Sequence, residues 1–99
     1  MKKYKVRIDT DALQDIQQAS DWYNNEVEGL GLRFQKQVTK QIEELSSNPY
    51  RYSIRYKDIR CCLIHKFPFL IHFIINEFSH EVEIYAVIHT SRNPKIWEE

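Results

Sequence analysis

The stretch Glu81-Val82-Glu83-Ile84-Tyr85-Ala86-Val87-Ile88 decides how this chain folds. Polar and apolar residues alternate along it, the period of a strand with one face buried. Val82, Ile84, Ala86 and Ile88 are expected to face a core. Glu83, Tyr85, Val87 and His89 are expected to face the other way. A polar cluster follows, His89-Thr90-Ser91-Arg92-Asn93-Pro94, and then Lys95-Ile96-Trp97. One side of this strand would hold the fold, while the other carries a phenol and an imidazole towards the strand end.

Working outward, 99 residues give one domain with one modest core. Hydrophobic residues at 42% set it apart from disordered chains. No apolar run reaches the ~18–20 residues needed to cross a bilayer. Met-Lys-Lys-Tyr-Lys-Val has charge with no apolar stretch behind it, so no secretory signal is expected and the cytoplasm is the expected location. The formal charge is zero, without the basic excess usual in proteins that live on nucleic acid. The charges are nonetheless uneven. Arg51, Arg55, Lys57, Arg60 and Lys66 share a short stretch with a single acid, Asp58, which reads either as a local basic patch or as a solvated surface. Cys61 and Cys62 are neighbours that would point to opposite faces of a strand. They read as reduced thiols, with no second pair at metal spacing.

Before the closing strand, Tyr4, Val6 and Ile8 alternate as a first strand. Thr10 or Asp11 is expected to cap a helix reaching about Asn25, with Leu13, Ile16, Ser20 and Tyr23 on its apolar stripe, Ala12 and Ala19 widening it, and Gln14, Asp15, Gln17, Gln18 and Asp21 on its wet side. Gly29-Leu30-Gly31 turns the chain. A second helix is expected from about Leu32 to Ser46 on Phe34, Val38, Ile42 and Leu45, stopped by Asn48-Pro49. Tyr50 to Lys57 is a connection leading into strand 58–64. The turn His65-Lys66-Phe67-Pro68 and strand 69–76 follow, then a turn at 77–80. The predicted fold is α+β: a strand, a helical hairpin, then a three-stranded antiparallel meander, with the helices on one sheet face. Strand parity puts Arg60, His72, Tyr85 and His89 on the uncovered face, mixed with Cys62, Ile74 and Val87. Such a half-polar face suits a partner or substrate.

Four motifs in order resemble the RelE/ParE superfamily of type II toxins. Lys66-Phe67-Pro68-Phe69 with Ile71 and Phe73 is similar to its "FPY-x-I-x-Y" strand. Val87-Ile88-His89-Thr90-Ser91-Arg92-Asn93-Pro94 with Trp97 is similar to its "VVH-x-x-R-x-P-x-x-W" ending. Ala12, Leu13, Ile16 and Tyr23 resemble the "A-x-x-D-L-x-x-I-x-x-Y" helix. Gly31, Phe34 and Leu45 to Pro49 resemble "G-x-x-F … L-x-x-x-P".

The resemblance implies a toxin neutralised by an antitoxin encoded beside it, in a hetero-oligomer. RelE-like members cut mRNA in the ribosomal A site, and ParE-like members poison DNA gyrase. The neutral charge and the His-x-x-Arg-x-Pro-x-x-Trp ending place this sequence nearer ParE. A non-toxic relative, kept as half of a complex, is a third reading.

The enzyme reading has a definite chemistry. Metal-independent RNA cleavage needs a proton acceptor, a proton donor and a stabiliser for the phosphorane. His89 would be acid or base, Arg60 and Arg92 would hold the phosphate, and Tyr85 would stack on a base. Arg55, Lys57 and Trp97 are candidate target contacts. RelE uses a late tyrosine, and this chain has none after Arg92. Each residue also has a plainer role open to it: His89 bonded to backbone, Arg92 paired with Glu98, Trp97 covering the core, His72 filling a strand. No metal or cofactor is expected, since no ligand set, phosphate-binding glycine loop or serine nucleophile motif is present.

Overall fold

The computed structural model describes residues 3–92. β1 (Lys5–Ile8) leads into α1 (Thr10–Glu26) and α2 (Leu30–Ser47), and a 3₁₀ turn (Pro49–Arg51) follows. Then come β2 (Ile54–Tyr56), β3 (Ile59–Leu63), β4 (Phe69–Asn76) and β5 (Glu81–His89). The strands form one sheet in the order β1-β5-β4-β3-β2. β3, β4 and β5 are the expected antiparallel meander. β1 lies parallel to β5, with Val6 beside Val82 and Ile8 beside Ile84. Tyr50 to Lys57, read as a connection, holds the end of the 3₁₀ turn and the short edge strand β2.

The hairpin turns where the glycines stand, and each glycine has its own reason. Gly29 takes φ 85, a left-handed conformation that costs a residue with a Cβ. Gly31 lies inside the first turn of α2, so this helix starts at Leu30 rather than at Leu32. A Cβ on Gly31 would collide with the Ser20 carbonyl oxygen and the Asn24 side chain. The two helices therefore touch backbone to backbone here. The Gly31 amide donates to Asn24 Oδ1 at 2.8 Å, and Gln35 Nε2 donates to Ser20 Oγ at 2.7 Å. Asp9, rather than Thr10 or Asp11, is the residue before the first helical turn, and no side chain bonds that helix end.

Ala12, Ala19, Phe34, Val38 and Leu45 from the hairpin meet Cys62, Ile71, Phe73, Val82, Ile84 and Val87 from the sheet. Full burial of each large side chain contributes about 1.5–3 kcal/mol. Leu13, expected on the buried stripe, is exposed.

The parity expected for β5 fails at one residue. His72 pairs with Ala86, and the next residue of β4, Phe73, pairs with Ile84. Tyr85 is thus an extra residue in β5, a bulge that shifts everything beyond it by one. Val82 and Ile84 face the helices as expected. Beyond the bulge, Val87 is buried against them in place of Ala86 and Ile88. The same register puts Arg60 opposite Phe73 and Cys62 opposite Ile71, so both lie on the helix side rather than on the open face. His72 stays on the open face, beside Cys61 and Ala86.

Candidate functional site

The end of the sheet is built by Phe67-Pro68-Phe69. Lys66 takes φ 71 to turn the chain into it. The Phe69 amide donates to the Phe67 carbonyl at 2.8 Å, and the Ile64 amide donates to the Phe69 carbonyl at 2.9 Å. The two phenyl rings enter the gap under the hairpin. Phe67 lies 5.1 Å from Tyr23 and 5.2 Å from Phe34, and Phe69 lies 5.1 Å from Phe34. These edge-on and tilted contacts pin the hairpin to the sheet, each with about 0.5–1.5 kcal/mol beyond area burial.

His89 rests on that cluster. It sits opposite Phe69 across the β4–β5 ladder, with ring centroids 5.2 Å apart and planes at 79°. The bulge brings it to the helix side rather than the open face. The Thr90 amide donates to the Pro68 carbonyl at 2.8 Å, and the Arg92 amide to the His89 carbonyl at 3.0 Å. The Ser91 amide donates to His89 Nδ1 at 3.0 Å, with Ser91 Oγ 2.7 Å from the same nitrogen. A backbone N–H can only donate, so Nδ1 is an acceptor and the neutral ring carries its proton on Nε2.

His89 and exposed Arg92 stand at the mouth of a cleft of about 590 Å³, with Asp15, Trp22, Tyr23 and Phe69 among its walls. Trp22 is 59% exposed and meets Tyr23 edge-on at 5.2 Å. The Asp15 carboxylate accepts the Val87 amide at 3.0 Å. Sequence reading put Asp15 on the wet side of α1. It falls on the aspartate of the quoted helix motif, three residues after Ala12, and lies one turn ahead of the buried Ala19.

The other candidates are not brought to this cleft. Arg60 lies four residues along β4 from the Phe69–His89 pair, opposite Phe73. Its Nη1 donates to the Tyr52 carbonyl at 2.6 Å, and its guanidinium lies over Tyr50 at 5.2 Å. Tyr85 is the exposed bulge residue. Burial, with Glu83, Asp9 and Asp58 nearby, raises its phenol above the ordinary range, so it stays neutral. Arg55 lies on edge strand β2, and Lys57 takes φ 51 in the turn after it. Trp97, Asn93 and Pro94 lie outside the described residues.

His72 is fully buried, and Tyr56 Oη lies 2.9 Å from its Nδ1. Burial, then the nearby Arg55, pushes it down to about 4, so it is neutral near pH 7. Burial pushes the Cys61 and Cys62 thiols up, away from thiolate reactivity. Both cysteines are free. Among the described residues no group of three or more histidine, cysteine or acidic side chains could hold a metal ion, and no helix is long and apolar enough to cross a membrane.

The fold is that of toxins from type II toxin–antitoxin systems. A chain from the chromosomal ParDE system of P. aeruginosa superposes with a TM-score of 0.78 at 15% identity, over 90% of this chain and 98% of that one. A chain of the intact E. coli RelBE toxin–antitoxin complex gives 0.67 at 16%, over 90% and 99%. The RelBE2 complex of Mycobacterium tuberculosis gives 0.63 at 17%, over 89% and 99%. At these identities the likeness establishes the fold. The family comes from the sequence: residues 6–94 match the model of the ParE toxin of the type II toxin–antitoxin system, parDE. The chain belongs to the ParE toxin family, within the superfamily that its four motifs resemble. No curated protein matches the sequence.

Proposed function

We propose that this chain arrests growth by binding DNA gyrase in the cytoplasm, and that it is held inactive by an antitoxin encoded beside it. One observation favours binding over base catalysis at His89: the Ser91 amide occupies the ring nitrogen that a base would need. Nδ1 accepts from Ser91, which leaves Nε2 with the proton, so the neutral ring has no free lone pair to act as a base. The distance along β4 between Arg60 and His89 adds support, because a phosphate held by one would not be served by the other. In this reading His89, Arg92 and the cleft form a contact surface for the target, and Trp97, outside the described residues, keeps its expected role as a target contact. Tyr85, Arg55 and Lys57 are secondary contacts.

The antitoxin would cover the hairpin and part of the sheet. Leu13, Trp22, Val27 and Leu32 are all exposed on the hairpin and give it apolar area to bury. The test is a supercoiling assay with purified gyrase and the purified chain. Supercoiling should be lost and cleaved DNA should accumulate, and added antitoxin should prevent both. Normal supercoiling together with cleavage of mRNA on ribosomes would replace this reading with the RelE one.

A further inference from the structure

We infer that Asp15 is a positioning residue, standing in for a missing strand to fix the rim that bears His89 and Arg92. The inference rests on the reading of that rim as the toxic surface. β1 accompanies β5 only as far as the Ile8–Ile84 pair, and the last backbone bond between the two is the Asp9 amide to the Ile84 carbonyl at 2.9 Å. Beyond it β5 runs on for five residues to His89 with β4 alone as its strand partner. The Tyr85 bulge falls at that point and leaves this segment free to twist. A lone edge with a bulge at its root is the least fixed kind of strand.

Asp15 acts on this segment from the helix. It is half-buried, lies one turn below Ala19, and accepts the Val87 amide at 3.0 Å. Val87 is two residues from His89 on the same side of the strand, and both line the cleft that Asp15 also lines. The carboxylate thus satisfies an amide that a neighbouring strand would otherwise take, and it sets how far the rim stands from α1. On the β4 side, Pro68 and Phe69 hold the same rim through Thr90 and the His89 ring. Only Asp15 ties it to the helix by a hydrogen bond among the described residues. What matters is the acceptor oxygen rather than the charge, so an amide at this position should serve nearly as well.

The experiment compares Asp15→Ala and Asp15→Asn by growth inhibition on induction, by hydrogen exchange of the Val87 amide, and by the NMR signals of the His89 ring. Asp15→Ala is expected to speed Val87 exchange about tenfold, the loss of one hydrogen bond. It should also move the His89 signals and weaken inhibition, with the far-UV spectrum unchanged. Asp15→Asn should restore all three. Unchanged Val87 exchange and His89 signals in Asp15→Ala would overturn the inference. So would an Asp15→Asn variant as impaired as Asp15→Ala. Arg92→Ala is the separate control on the rim itself. Full inhibition by that variant would count against the rim as the toxic surface, while the exchange and NMR results would still decide whether Asp15 positions it.

Discussion

Phe69 and His89 face each other across the β4–β5 ladder, ring edge to ring face at 5.2 Å, and this pair joins the core to the candidate site. Phe69 also meets Phe34 and Tyr23, so one ring serves both the hairpin and the histidine. Phe69→Ala should therefore cost about 3 kcal/mol of stability and release His89. Urea unfolding measures the first effect and the His89 ring signals the second. A loss below about 1 kcal/mol with unmoved His89 signals would contradict this account.

The two glycines of the hairpin should respond differently to alanine. At Gly31 the new Cβ meets the Ser20 carbonyl, a backbone atom that cannot swing aside. Gly31→Ala should cost about 2 kcal/mol, or force the helices apart. At Gly29 nothing lies within 4 Å, and only the left-handed φ is strained. Gly29→Ala should cost about 1 kcal/mol. Chemical denaturation of both variants gives the order, and a larger loss at Gly29 would reverse the argument.

Stability should fall with acid partly through His72. Burial, then Arg55, holds it at about 4 in the folded chain against 6.5 in the unfolded one. The unfolded state therefore binds the proton first. Its contribution is fully present above pH 6.5 and is lost as the pH falls towards 4, in total about 3 kcal/mol. His72→Gln removes the titration and leaves a polar group for Tyr56. Plotted against pH, the stability difference between wild type and variant should narrow between pH 6.5 and 4. Parallel curves would show that His72 titrates alike in both states.

Arg60 separates the binding and nuclease readings cleanly. Its guanidinium is tied to the Tyr52 carbonyl and lies over the Tyr50 ring, where it braces the segment entering β2. Arg60→Ala should lower stability by about 1–2 kcal/mol and leave growth inhibition in place at a permissive temperature. Complete loss of inhibition in a folded Arg60→Ala protein would restore it as a catalytic candidate.

The sequence told most about the elements with unbroken periods. The stripe of Phe34, Val38 and Leu45 marks α2, and Val82 with Ile84 marks the buried side of β5. The Phe67-Pro68-Phe69 segment was legible as the turn into β4. The bulge was not legible, because Ile84-Tyr85-Ala86-Val87 holds no glycine or proline and each residue suits a strand on either face. That single extra residue misassigned Val87 and His89. Arg60 and Cys62 were misassigned for another reason: β3 parity was tied to β4 only by register, which local pattern does not fix. Leu13 looked buried by spacing and is exposed, since α1 meets the sheet mainly through its alanines. Asp15 escaped notice because its partner, the Val87 amide, is 72 residues away.

In the proposed reading this chain binds gyrase through the His89–Arg92 end of the sheet. Induction without antitoxin, with protein synthesis and chromosome breakage followed separately over the first minutes, tests it most directly. The account expects DNA breaks and filaments while translation continues, with both effects abolished in Arg92→Ala. An immediate stop in translation with cut messages and an intact chromosome would contradict it.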